Sequence, residues 1–263
     1  MLFGAACTGQ LSQIEAVRIG APDGVGFILA KYAAGKLTEN TEVTLLPKVT
    51  EIFDCCSSTT QWALSSGSLD AAILCPDEAR ALVQSDQSYI ILGPCLVNSI
   101  IVVIKDPSRI DTIAIARNRR YQQDVISSLF GQGSHTKQML PQALPGAYER
   151  GLVDGVVVEI EQARQMEGIM LPVNSTGEDV VTYMLVVHKD LPGRDLLGEA
   201  FSAAAVELNE ENNLQKAIDD YIGCSNSEFE AAQWLQSGLE FLAVSQDTVI
   251  ANLTEGDSSE IQD

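Results

Sequence analysis

Short runs of β-branched and apolar residues recur along the chain, bounded by glycine, proline or polar turn residues, and between them apolar positions return at helical spacing. The first run is VRIG at 17–20, followed by the turn APDGVG and an apolar-periodic helix over 27–35. Extended runs follow at 42–49, closing near Ile52, at 71–74 and at 89–92, and a continuous β-rich run fills 100–104 before Asp106-Pro107 breaks it. The pattern restarts with a strand over 112–116, a polar loop RNRR, a helix over 121–130, a weakly patterned piece as far as Ala147, and strands over 155–160 and 180–187. From Leu196 onward the spacing is mainly helical: 201–208, 214–222, and a helix capped by Ser227 with Glu230 that runs through Leu242, ahead of an acidic tail from Glu255. Alternating strands and helices predict an α/β protein with mostly parallel sheets flanked by helices.

The stretch FDCCSSTTQWALSSGSLDAAILCPDEA, 53–79, concentrates the unusual chemistry. Ser58 with Gln61 forms a capping box, Gly67 stops that helix, and a strand follows over 71–74. Pro76 suits the first turn of the next helix, which puts Cys75 at its N-cap and Asp77 and Glu78 where acidic residues favour the dipole. Cys55, Cys56 and Cys75 thus stand where strands hand over to helices. In open parallel sheets the binding crevice lies there, and a helix start favours the thiolate, the form that binds metals. A fourth thiol, Cys95, is expected just after the run at 89–92. Two readings stay open: small buried hydrophobes, or soft ligands. Cys55 and Cys56 are adjacent, so a bond between them would close a strained ring; a shared ligand or redox pair suits them better.

At 263 residues the chain can bury one large or two medium domains. A net charge of −20 with only 16 basic residues argues against a nucleic-acid partner, which needs clustered Lys and Arg. No run approaches the ~18 apolar residues of a spanning helix. The start, MLFGAACTGQ, is similar to the tail of a lipoprotein signal, with Cys7 as the lipid-bearing residue, 1–10 as signal remnant and linker, and Gly4 where leucine is usual. Six cysteines become five if Cys7 is acylated, which leaves an odd thiol. Only His135 and His188 could add imidazole, and no zinc-ribbon CxxC pair occurs.

Two segments, ALSSGSLDAAIL at 63–74 and AYERGLVDGVVV at 147–158, each read as helix end, Gly, hydrophobe, Asp, strand: one tight turn per lobe. Together with VRIGAPDGVG and SIIVVIKDPS, they resemble the type II periplasmic substrate-binding proteins of ABC transporters, notably the nitrate, alkanesulfonate and thiamine-precursor binders. The resemblance implies two α/β lobes joined by a two-strand hinge, with the ligand between them. Lobe one would be 11–104 plus 185–263 and lobe two 105–184, hinged near 101–105 and 184–187. It also implies ligand loops at 23–26, 54–56, 75, 95–99, 117–121 and 159, carrying Asp23, Gly24, Asp54, Cys55, Cys56, Cys75, Cys95, Arg117, Tyr121 and Glu159. The thiols depart from the Ser, Thr and basic linings of oxyanion binders. A cysteine-lined member is similar to the binding component of selenocysteine-assisted organometal transport systems, on the strength of the DCC motif and the loop cysteines; this chain has cysteine only.

The function expected is an extracytoplasmic, lipid-anchored, monomeric solute-binding component at the periplasm or cell surface, working with an ABC permease and needing no cofactor. It would capture mercury, an organomercurial or another organometal through Cys55, Cys56, Cys75 and Cys95. Two alternatives remain. One is an anion, sulfonate or thiamine-precursor binder with structural cysteines, in which RNRR clamps an anionic group. The other is a cysteine-dependent enzyme on the same scaffold, which would need a base.

Overall fold

The computed structural model describes residues 15–39, 45–131, 133–223 and 230–244. Cys7 with the signal-like start, Cys224, the cap expected at Ser227 and the acidic tail lie outside the described residues.

The chain forms β1 (Glu15–Pro22), α1 (Val25–Glu39), β2 (Leu45–Ile52), α2 (Ser58–Ser65), β3 (Ala71–Leu74), α3 (Pro76–Ser85) and β4 (Tyr89–Val97). It continues with β5 (Ile100–Ile104), β6 (Thr112–Ala116), α4 (Arg120–Phe130), β7 (His135–Met139), α5 (Leu144–Glu149), β8 (Gly155–Glu159), α6 (Ile160–Ala163) and β9 (Ile169–Pro172). The last part holds β10 (Val181–His188), α7 (Arg194–Leu208), α8 (Glu211–Ile222), α9 (Glu230–Gln236) and β11 (Glu240–Phe241).

The strands divide between two sheets, ordered β11-β4-β10-β3-β1-β2 and β7-β6-β8-β5-β9. β1 pairs parallel with β2 and β3, as β6 does with β7 and β8. Apart from β4, which pairs antiparallel with β10 and the short β11, each sheet holds one strand antiparallel to both its neighbours, β10 in the first and β5 in the second. These two are the strands that arrive from the other sheet. With the short β11 set aside, both sheets share one order: second, first, third, crossing strand, fourth. This is the expected two-lobed α/β architecture.

The repeated helix–Gly–Asp turn occupies the same place in both lobes. Gly67 and Gly151 adopt φ of +67° and +69°, a left-handed conformation that costs glycine nothing, and each ends a helix ahead of its sheet's third strand. The aspartate then pins that strand to the sheet's first strand. Asp70 accepts from the Arg18 amide at 2.8 Å and from its guanidinium at 2.6 and 2.9 Å, while Asp154 accepts from the amides of Asp111 and Thr112. β3 and β5 are buried along their whole length, as their continuous AAIL and IIVVI runs require of central strands.

Elsewhere the structure departs from the expected elements. β5 bonds wholly within the second sheet and β10 wholly within the first, so the chain changes sheets at Asn98-Ser99 and between Pro172 and Val181. Asn98, at φ +56°, ties the crossings together: its side chain accepts from the Val180 amide and donates to Asp179 and to the Gly238 carbonyl. α2 is capped by Ser57, whose hydroxyl accepts from the Thr60 amide, and not by Ser58. β7, HTKQM, is an edge strand with too few apolar residues to be seen as one. The C-terminal helix ends at Gln236, and Phe241, expected inside it, pairs with Leu96 of β4.

Candidate thiol site between the lobes

Asp54 organises the loop that leaves β2. Its carboxylate accepts from the Cys56 amide at 3.0 Å, and its carbonyl accepts from the Ser57 amide and the Thr60 hydroxyl. This Asx turn folds Cys55 and Cys56 beneath the start of α2. Cys75 approaches from β3, in extended conformation at the N-cap of α3, where it makes no side-chain capping bond. The three sulfurs converge: Cys55 to Cys56 is 3.7 Å, Cys56 to Cys75 is 3.1 Å, and all three lie within 4.8 Å of one another. Cys55 and Cys75 are fully buried and Cys56 is 6% exposed.

Three thiols this close titrate as one unit. Hydrogen bonds from Cys56 and then Cys75 hold Cys55 well below the usual thiol range against the opposing effect of burial, with help from the Arg119 charge. Those bonds to Cys55, with burial, push Cys56 and Cys75 up. The cluster therefore releases one proton readily and keeps the others until something displaces them.

Lobe two brings a polar network to the same place. Arg119, 6% exposed, donates from Nη1 to Glu159 Oε1 at 2.8 Å; that oxygen also accepts from the Tyr183 hydroxyl at 2.5 Å, and Oε2 accepts from Ser99 Oγ at 3.2 Å. Ser99 also donates to Thr182 at 2.9 Å. Residues of both crossing segments thus fix Glu159 at the end of β8. Burial opposes the Arg119 charge, but Tyr183, Cys55, Tyr121 and Glu159 around it keep the guanidinium's pKa well above its ordinary value. The lobes are tied by the Tyr121 amide, which donates to Asp77 Oδ2 of α3 at 3.1 Å. Glu161 presses on Gly24 so closely that a Cβ at residue 24 would overlap its carboxylate. Burial, then the Glu159 charge, raises the Glu161 carboxyl well above the usual range. The cavity beside Arg119, lined also by Asp23, Glu159, Glu161 and Tyr183, measures about 40 Å³.

The expected site residues are placed as follows. Cys55, Cys56 and Cys75 come together; from the other lobe the Tyr121 amide bonds Asp77, two residues past Cys75, and Glu159 pairs with Arg119. Asp54 shapes the thiol loop, and Asp23 accepts from the Gly24 amide and the Tyr221 hydroxyl. Cys95 does not follow a strand: β4 runs on through Gly93 and Pro94, with register shifts against β10, and Cys95 is fully buried within it, outside the thiol cluster. Burial pushes its thiol up. Arg117 is exposed, its amide extending the ladder to Met139; Asn118, at φ +66°, turns the chain so that Arg119 is the arginine that enters. Arg119 and Ser99 fell inside the loop ranges the resemblance implied without being singled out. Tyr183, Thr182 and Glu161 carried no local signal, because strand and helix patterns do not tell a cleft-facing polar residue from a solvated one. Both histidines lie at the far ends of their sheets. His188 meets Tyr89 edge-to-face and bonds the Asp70 carbonyl through its amide, and His135 opens β7 beside Thr112.

Compared by sequence, the chain matches no family model and no curated protein. Compared by fold, it is similar to the zinc-bound ligand-binding component of an ABC-type import system from Staphylococcus aureus, with TM-score 0.70 and 12% identity over 92% of this chain and 91% of that one. It is similar to the periplasmic aliphatic sulphonate binding protein SsuA from Escherichia coli, at TM-score 0.66 and 15% identity over 92% and 91%. The alkanesulfonate-binding protein SsuA from Xanthomonas axonopodis pv. citri, bound to MOPS, gives 0.67 and 12% over the same shares. At such identities the likeness is one of fold, the two-lobed architecture of periplasmic binding proteins.

Proposed function

We propose that this chain is the extracytoplasmic solute-binding component of an ABC transporter, and that it closes its lobes on a small thiophilic ligand: mercury, an organomercurial or another organometal. The observation that carries the reading is the convergence of Cys55, Cys56 and Cys75 within 4.8 Å at the lobe junction. Thiolates select soft metals, and no histidine stands at the cluster to make a mixed zinc site. A binding role also suits the site better than nucleophilic catalysis, because both histidines that could serve as base lie at the far sheet ends. A permease partner, a lipid anchor at Cys7 and a monomeric state belong to the same proposal.

Thiol titration with native mass spectrometry tests it. Reduced, anaerobic protein should bind one equivalent of methylmercury and protect two or three thiols. Cys55→Ser, Cys56→Ser and Cys75→Ser should each weaken binding more than about tenfold, on the order of 1.4 kcal/mol, while Cys95→Ser should bind as the parent does. Zinc, carried by the staphylococcal neighbour, is the metal to run beside it. If the cluster variants bind normally and an alkanesulfonate protects the protein against heat, the thiol reading fails and the anion reading replaces it.

A further inference from the structure

Among the described residues, four buried side-chain polar atoms have no hydrogen-bond partner: Arg119 Nε, Tyr121 Oη, Glu161 Oε2 and Glu230 Oε2. The first two are donors, and both stand at the β6–α4 corner beside the thiols. The Tyr121 amide reaches Asp77, two residues from Cys75, and both Arg119 and Tyr121 lie close enough to Cys55 for its charge to act on them. A buried carboxyl can answer a missing partner by holding a proton, but a guanidinium cannot give one up. A buried donor left unmade costs free energy, so two of them at one corner call for an explanation.

Glu159 does not supply it. Its oxygens accept from Arg119 Nη1, the Tyr183 hydroxyl and Ser99 Oγ, and neither oxygen bonds Arg119 Nε. The Nε edge remains, with the Tyr121 hydroxyl, at a corner tied through Asp77 to the helix start that Cys75 caps. A bare soft cation or an alkylmercury offers these donors nothing to bind.

Resting on the thiol reading above, we propose that the ligand carries an oxygen acceptor beside its thiophilic centre, and that Arg119 Nε and Tyr121 Oη donate to that oxygen. The thiols hold the soft centre; the two donors select among soft centres by what is attached to them.

Ethylmercury and carboxymethylmercury share one soft centre and differ little in size, so they test the proposal directly. Each is competed against glutathione on the full chain. The wild type should favour carboxymethylmercury at least tenfold. Tyr121→Phe deletes a hydroxyl that the free protein leaves unpaired, so its unliganded Tm should hold or rise while the preference falls below threefold. Arg119→Lys keeps the charge facing Glu159 and loses Nε, and should lose the preference likewise. Equal binding of the two mercurials by the wild type, or a preference that survives both substitutions, overturns the acceptor proposal and leaves the thiol reading standing. Failure of both mercurials to compete with glutathione overturns the thiol reading itself, and this proposal with it.

Discussion

Gly24→Ala separates what the β1–α1 turn does for folding from what it does for closure. Residue 24 has φ +76°, and a non-glycine residue held in that region costs about 1–2 kcal/mol whether the lobes are open or closed. For a chain of this size the loss should lower Tm by about 2–4 °C per kcal/mol. The second effect exists only when the lobes are closed, because the new Cβ overlaps the carboxylate of Glu161, which reaches Gly24 from the other lobe. Glu161 must then leave its seat. A closed state disfavoured by about 1.4–2.8 kcal/mol weakens ligand binding about 10- to 100-fold. Methylmercury competition against glutathione reads the affinity, small-angle scattering reads the compaction, and a double-mutant cycle isolates the contact. In Gly24→Ala with Glu161→Ala the overlap is gone and the backbone strain remains, so affinity should recover while Tm stays low, with a coupling above about 1 kcal/mol. Wild-type affinity in Gly24→Ala, or no recovery in the double variant, would refute the account of closure.

Glu159→Gln leaves the Arg119 guanidinium buried without its counter-charge; with the two side chains only 7% and 13% exposed, urea denaturation should show a loss of about 3–5 kcal/mol, and a loss under about 1 kcal/mol would mean the pair behaves as a solvated surface pair. Burial and then Glu159 raise the Glu161 carboxyl, so the closed state binds a proton that the opened or unfolded chain releases. That stabilisation is complete below the ordinary carboxylate range and disappears as pH rises through the raised one. Tm measured from mildly acid to mildly alkaline pH should therefore carry a declining component that Glu161→Gln removes, and an identical profile in the variant would contradict it.

The chain by itself determined the class of fold and much of the order within it. AAIL and IIVVI were legible as strands from their apolar, largely β-branched runs and the turn residues that bound them, and continuous runs of that kind suit strands covered on both faces. The repeated Gly–hydrophobe–Asp turn foretold two lobes of one topology, since a left-handed helix end and an aspartate accepting from the neighbouring strand's amides are both local requirements. The placing of Cys55, Cys56 and Cys75 at strand-to-helix corners was legible for the same reason, through Pro76 and the capping residues around them. What only the tertiary structure decided is which corners meet. Cys95 looked like the other three, yet β4 continues past Pro94 because β10 and β11 offer it pairing that no local signal announces. Arg117 and Arg119 are indistinguishable in RNRR; the left-handed Asn118 and the waiting Glu159 make one exposed and the other buried. Glu161 meets Gly24 across the lobe junction, Tyr183 meets Glu159, and Ser99 finds Thr182, 83 positions away. A contact over that separation depends on how two sheets face each other, and hydrophobic periodicity along one strand or helix carries no information about it.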